Sequence, residues 1–176
     1  MKKIAALILI LTILANITSF GKATKKTNSD VSVQNQETLG SRYGSKNVGY
    51  VTKPSDWFNF MDSNSSPNTI QITPDGVNIV TLDIIFARGQ ATSNEVALAI
   101  QEKYLNSGIE NKNISLNDIS INGYKGKKVK INFPDGTLYM VNCIDYNGNI
   151  YLVAQEGLSE YQNKLLKVID TWNPNK

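Results

Sequence analysis

Residues 77–87, VNIVTLDIIFA, constrain the fold more than any other stretch, because both alternate sets of side chains in this run are largely apolar. Successive side chains of a β-strand point to opposite faces, and a strand with one face in water alternates between apolar and polar residues. Residues 138–144 show the same double pattern. The sequence therefore predicts central strands that are covered on both faces.

Turn signals divide the chain into short strand-like runs. Asn-Gly dipeptides at 122–123 and 147–148 are typical of two-residue hairpins, and Pro-Asp-Gly triplets at 74–76 and 134–136 predict turns. Short connections indicate antiparallel neighbours. The predicted strands are residues 69–73, 77–87, 114–121, 124–133, 138–145 and 149–155.

Two segments have helical periodicity instead. Residues 92–105 begin with Thr92 and Glu95, which fit a capping box, and Gly108 is a suitable stop. Residues 159–172 carry one apolar stripe. Helices on opposite sides would cover both faces of the sheet, so we predict an α+β fold with an antiparallel β-sheet sandwiched between helices.

Residues 49–60, GYVTKPSDWFNF, predict how the chain enters this sheet. Pro54 ends a short strand, and Trp57 is then expected to fill one edge of the core. Phe58 and Phe60 are two residues apart and share a face of the next strand. We expect these three aromatic residues and Trp172 to lie in the core rather than in an exposed recognition patch.

The N-terminal residues have the pattern of a secretory leader. Lys2 and Lys3 precede an apolar run of about 14 residues, which is too short to span a bilayer, and small residues follow up to Ala23. We predict a signal peptide at 1–23, a flexible polar tether at 24–45 and a folded domain at 46–176. An uncleaved membrane anchor is the alternative for the first segment.

Charge and cysteine content then suggest where the protein works. Removal of the leader takes three of the 18 basic residues and none of the 15 acidic ones, so 15 of each sign remain and nothing points to nucleic acid. Cys143 is the sole cysteine, so no internal disulfide forms and no cysteine follows the leader for a lipid anchor. We expect a bacterial, monomeric, extracytoplasmic protein, either secreted or associated with the cell envelope.

Several kinds of catalysis are excluded because the chain contains no histidine. Triads with Ser or Cys and zinc sites with His ligands are therefore absent. Cys143 occupies an apolar strand position and is interpreted as a small buried hydrophobic residue. We predict no catalytic residue, no cofactor and no enzyme activity. A carboxylate-based hydrolase is a less favoured alternative, with Asp83 the most notable acid because it interrupts the apolar run 77–87.

Residues 145–156, DYNGNIYLVAQE, imitate a calcium-binding loop. Asp145 and Glu156 occupy the first and twelfth positions, but the sixth position requires glycine and is Ile150. Gly148 instead follows Asn147 as in a type I′ hairpin. The prediction is a hairpin without metal ligands.

One basic cluster lies in the stretch YKGKKVK, and it consists of Lys125, Lys127, Lys128 and Lys130. Lys128 and Lys130 share one strand face, whereas Lys125 and Lys127 share the other. These lysines are the candidate partner-binding residues, and an acidic protein or an anionic envelope component would be the partner. The alternative is an edge strand on which lysines prevent aggregation.

The order of these elements resembles the PsbP-like superfamily over residues 46–173. The matching features are the strand-Pro-x-x-Trp entry, the long strand 77–87, the capped helix, the NGYKGKKVKINF strand, the strand with Tyr139 and Cys143, the NGNIYLVAQE strand and the closing helix before Trp172. The resemblance implies an α-β-α sandwich and partner binding. Family members include a subunit of the photosynthetic oxygen-evolving complex, a nuclear-import factor and secreted bacterial proteins of unknown role.

The leading hypothesis is therefore an exported, non-catalytic interaction module. The first alternative is an extracytoplasmic binder of a small ligand or cation, which would use Asp and Asn loops at a sheet edge. An exposed apolar or basic patch would favour the module, and a concave pocket would favour the ligand binder. Two facing acids, with Asp83 among them, would favour the hydrolase.

Overall fold

The computed structural model describes residues 40–62 and 65–176, so the predicted signal peptide and residues 24–39 of the predicted tether lie outside the described part. Two α-helices and nine strands occupy it. They are β1 Ser41–Ser45, β2 Gly49–Lys53, β3 Phe58–Phe60, β4 Ile70–Thr73, β5 Ile79–Ile85, α1 Ser93–Asn106, β6 Ile114–Ile121, β7 Tyr124–Asn132, β8 Thr137–Tyr146, β9 Asn149–Leu158 and α2 Gln162–Ile169.

Seven of the strands form one sheet in the order β3-β4-β5-β9-β8-β7-β6, while β1 and β2 form a separate hairpin. Every pairing between these strands is antiparallel, and the short connections predict this for the consecutive strands. β9 returns to lie between β5 and β8, which places the most apolar strands at the centre.

The two Asn-Gly turns set the register of the sheet. Asn122 and Asn147 have φ of 49° and 48°, and the glycines that follow also have positive φ, which is the geometry of type I′ hairpins. Tyr146 therefore pairs with Asn149 across the second turn. The hairpin interpretation of residues 145–156 is confirmed.

Helix α1 begins as the capping box predicts. The Thr92 side chain accepts from the Glu95 backbone N–H at 3.3 Å, and the Glu95 carboxylate accepts from the Thr92 backbone N–H at 2.9 Å. Asp145 adds a second anchor, since its carboxylate accepts from the backbone N–H of Ser93 at 2.9 Å and from its hydroxyl at 2.5 Å. Asp145, which occupies the first position of the calcium-loop pattern, thus connects the β8–β9 hairpin to the start of α1.

Two hydrophobic clusters, one associated with each helix, form the core. The α1-side core joins α1 to β5, β6, β7, β8 and β9, and the α2-side core joins α2 and the β1–β2 hairpin to strands that include β4, β5 and β9. Alternate residues of one strand supply each cluster: Ile150 and Leu152 of β9 face α1, whereas Tyr151 and Val153 face α2. The two-sided burial expected for the central strands is confirmed.

Trp172 packs the β1–β2 hairpin against the α2-side core. The side chain is fully buried, and its Nε1 donates to the Val48 carbonyl oxygen at 3.0 Å. The rings of Tyr124 and Tyr151 pack against it at centroid distances of 5.7 and 5.4 Å. Gly49 has φ of 82°, and a Cβ atom there would lie 2.6 Å from Nε1, so only glycine fits this approach.

The structure corrects two features of the predicted entry to the domain. Residues 41–45 belong to β1 and not to a tether, because Arg42 donates to the carbonyl oxygens of Thr171 and Tyr50 at 2.8 and 2.9 Å. Phe58 is 49% exposed and therefore lies outside the core, since β3 is at the edge of the sheet. The buried positions of Trp57 and Trp172 are confirmed.

The second predicted helix is shorter than expected. Residues 159–161 form a 3-10 turn, α2 ends at Ile169, and Trp172 follows the helix. Its apolar stripe is nonetheless buried as predicted, through Leu165, Val168 and Ile169.

We expect Trp172→Ala to destabilise the domain by about 4 kcal/mol, because it removes a fully buried indole and its hydrogen bond to Val48. Urea denaturation followed by circular dichroism measures this change. Met61→Ala is the control, since Met61 is 91% exposed, and it should change stability by less than about 0.5 kcal/mol. Equal unfolding midpoints for the two variants would show that Trp172 does not hold the hairpin.

Candidate functional site

The predicted lysine cluster lies on β7, which runs between β6 and β8. The alternative interpretation as an edge strand is therefore wrong, since β6 occupies the edge. An interior strand already has a neighbour on each side, so lysines are not needed there to block pairing with another chain.

The four lysines of this strand have different surroundings. Lys127 lies on the α1 side and forms an ion pair with Asp118 of β6, with 2.7 Å between Nζ and Oδ1. Lys125 is exposed opposite Ser120 near the end of the same strand pair. These two lysines do not join the other two in one surface.

Lys128 and Lys130 do share a surface, which we call the basic face. Across the sheet they lie opposite Asn117 and Ser115 of β6 and opposite Asn142 and Met140 of β8. Both lysines are half-buried, and neither has an ion pair or hydrogen bond in the described part of the chain. The basic face comprises Ser115, Asn117, Lys128, Lys130, Leu138 and Met140.

The basic face is open because α2 is displaced from it. α2 packs against β9, β5 and β2, whereas α1 packs against β6, β7 and β8 from the other side. Lys128 and Lys130 can therefore lay their aliphatic stems on the sheet and keep their ammonium groups in water. The arrangement is a flat surface with two free positive charges beside apolar side chains.

A second polar group lies on the α1 side of the central strands. Glu156 of β9 is directly opposite Tyr139 of β8 and Ile79 of β5. Burial, together with the negative charges of Asp62 and Asp135, raises the pKa of its carboxyl to about 7. In the described residues this carboxylate has no hydrogen-bond donor and no cationic partner.

Two tyrosines with nearly buried rings accompany Glu156. The ring centroids of Tyr104 and Tyr139 are 6.0 Å apart, and Phe133 meets Tyr104 edge-on at 5.7 Å. Burial and the nearby Glu156 charge raise the pKa of both phenols. We call Glu156, Tyr104, Tyr139 and Phe133 the Glu156 recess.

The sequence analysis did not predict that the residues of the Glu156 recess lie close together. A usable signal was present, because the type I′ turn at Asn147-Gly148 fixes the β8–β9 register and so places Tyr139 opposite Glu156. Tyr104 arrives from α1 through helix–sheet packing, which no local pattern specifies.

The Asp83 carboxylate is held by hydrogen bonds within the fold. It accepts from the hydroxyls of Ser66 and Thr69 at 3.2 and 3.0 Å and from the Ile84 backbone N–H at 2.8 Å. Burial raises its pKa, and these three donors oppose that shift. Glu156 pairs with Ile79, four residues along β5 from Asp83, so about 13 Å of strand separates the two acids. That spacing exceeds what a pair of glycosidase carboxylates uses.

The structure also locates the remaining candidates. Cys143 is fully buried, and burial together with the nearby Asp145 raises its thiol pKa. In residues 40–62 and 65–176, no group of three or more Cys, Asp or Glu residues is arranged to hold a metal ion. Within the same ranges, no helix has the length and apolar character needed to cross a membrane.

Comparison with known proteins shows the fold. The sequence matches no known family and no curated protein. The structure is similar to the solution structure of cyanobacterial PsbP (CyanoP) from Synechocystis sp. PCC 6803, with a TM-score of 0.56 and 8% identity over 84% of this chain and 97% of that one. The described domain therefore has a PsbP-like fold.

A crystal structure from Bacteroides thetaiotaomicron VPI-5482 is also similar. Its TM-score is 0.50 with 14% identity, and the match covers 78% of this chain and 49% of that one. At these identities the likeness concerns the fold alone.

Glu156→Gln is expected to stabilise the domain above pH 7 by on the order of 2 kcal/mol, allowing for the partial exposure of the carboxyl. The folded pKa, about 7, lies above the ordinary value of 4.5, so the folded chain holds this proton more tightly than the unfolded chain. The native domain therefore loses stability as the pH rises from 4.5 to 7. Glutamine imitates the protonated acid and does not ionise, so the variant does not show this loss.

Urea titrations at several pH values measure this difference. Glu160→Gln is the matched control, because Glu160 is an exposed acid in the 3-10 turn after β9 and the substitution removes the same charge. If native protein and Glu156→Gln gave parallel stability curves from pH 4.5 to 8, the carboxyl would not be desolvated as described.

Proposed function

We propose that this chain is an exported, non-catalytic interaction module with α-β-α layers, and that its basic face docks an acidic segment of another protein. The observation that carries the proposal is the pair Lys128 and Lys130, which lie unpaired on a part of the sheet that α2 leaves open. Positive charges held in this way favour encounter with an oppositely charged surface.

A protein is the favoured partner because the basic face mixes charge with apolar area. Met140 lies directly opposite Lys130, and Leu138 lies two residues further along β8 on the same face. Both are half-buried. A partner with carboxylates beside aliphatic side chains would match both features, whereas an anionic polymer would match the lysines alone.

Three features support a binding role over catalysis. The chain lacks histidine, Asp83 is held by three donors, and the register separates Asp83 from Glu156. The proposed export rests on the N-terminal leader pattern alone, with Lys2 and Lys3 ahead of the apolar run.

Site-specific photocrosslinking in the producing cells tests the docking. A photoreactive residue replaces exposed Asn117 on the basic face and, separately, exposed Asn94 on α1. A crosslinked protein should form from position 117 and not from position 94. Lys128→Gln with Lys130→Gln should reduce its yield about tenfold, which corresponds to the loss of two charge contacts.

Lys112→Gln with Lys167→Gln is the matched control, because both lysines are exposed, neither lies on β7, and the change in net charge is identical. This variant should crosslink like the native chain. A protein product that persists in the Lys128 and Lys130 variant would refute docking through the basic face. A product that contains only anionic polymer would refute the protein partner.

A further inference from the structure

The Glu156 recess has the features of a binding site apart from the basic face. Glu156 and Tyr139 are directly opposed on the α1 side of β9 and β8. Tyr104 joins them from the last turns of α1, with its ring centroid 6.0 Å from that of Tyr139. Lys128 and Lys130 point to the opposite side of the sheet, since Val129 between them faces α1.

Three polar groups in the recess lack protein partners. The hydroxyls of Tyr104 and Tyr139 and the carboxylate of Glu156 make no hydrogen bond in the described part of the chain, although both tyrosines are only 6% exposed. Polar groups this deep in a protein are usually satisfied.

These groups nevertheless retain access to solvent. Among the described residues, the only unpaired polar side-chain atom that is wholly sealed from solvent is Nε1 of Trp57, which belongs to the other core cluster. The two hydroxyls and the carboxylate therefore keep some contact with solvent.

Electrostatics favour a cationic ligand beside these groups. Asp62 and Asp135 lie close enough to Glu156 for their charges to disfavour its ionisation. Burial acts in the same direction. A bound cation would relieve both the repulsion and the lost solvation.

Aromatic rings make an organic cation more suitable than a metal ion. Within the described ranges the acids do not assemble into a metal-binding group, whereas the rings of Tyr104, Tyr139 and Phe133 cluster beside the carboxylate. The Lys103 ammonium lies 5.6 Å from the centre of the Tyr104 ring, so a cation can approach that ring. Cation–π attraction and a carboxylate together are the usual recognition of alkylammonium groups.

We propose that the Glu156 recess binds a small organic ammonium ion, with the Glu156 carboxylate as counter-ion, the Tyr104 and Tyr139 rings as walls and the Tyr139 hydroxyl as a hydrogen-bonding group. This site is independent of the basic face and of the partner proposed for it.

Calorimetric titration of the full chain with choline tests the site, and 3,3-dimethylbutan-1-ol serves as the neutral probe of the same shape. Choline should bind and the alcohol should bind at least about tenfold more weakly, because the alcohol lacks the charge. Affinity for choline should rise as the pH increases through about 7, where Glu156 ionises. The groups that face this carboxyl are Asp62, Asp135, Tyr104 and Tyr139, with Lys103 beside the Tyr104 ring.

Glu156→Gln should weaken choline binding at least about tenfold at pH 8. Because this variant is expected to be more stable than the native chain, a loss of binding does not reflect unfolding. Tyr139→Phe keeps the ring and should change affinity less than Glu156→Gln does. Asp118→Asn is the control acid, since Asp118 pairs with Lys127 outside the recess, and it should bind choline like the native chain.

Two results would overturn the proposal. One is equal affinity for choline and its neutral analogue, which would make the recess merely apolar. The other is choline binding that survives Glu156→Gln. Neither result bears on docking at the basic face, because Lys128→Gln with Lys130→Gln should leave choline binding unchanged.

Discussion

Strands β5, β8 and β9 carry apolar side chains on both faces, and the rest of the structure depends on shielding both faces from water. Seven strands spaced at about 4.8 Å make a sheet about 29 Å wide, whereas one helix is about 10 Å across. Each helix therefore covers only part of a face: α1 lies over β6, β7 and β8, and α2 lies over β9 and β5. The uncovered parts are where polar groups remain available, so the mismatch in width creates the candidate sites.

The two candidate sites lie on opposite faces of the sheet. Lys128 and Lys130 lie on the side of α2, and Glu156 lies on the side of α1. After loss of the predicted leader the chain has equal numbers of acidic and basic residues, so net charge gives no hint of this division. Charges that cancel in the total can therefore still be distributed unevenly over the surface.

Local patterns predicted most of the framework. The capping box at Thr92, the Asn-Gly turns and the apolar runs of the central strands are signals that act within a few residues, and the structure confirms each. The prediction failed where contacts distant in sequence decide the outcome. β1 has a polar sequence and depends on bonds from Arg42 to residues up to 129 positions away, and Phe58 is exposed because β3 lies at an edge.

The sequence by itself determined that the chain forms an antiparallel sheet with helical cover, that it lacks histidine chemistry and that four lysines lie on one strand. Only the tertiary structure decided that two of those lysines are free, that Asp83 is satisfied and that Glu156 meets Tyr104 and Tyr139. The physical reason is that strand periodicity is a local property of the backbone. The solvation and partners of a charge depend instead on which distant elements pack beside it.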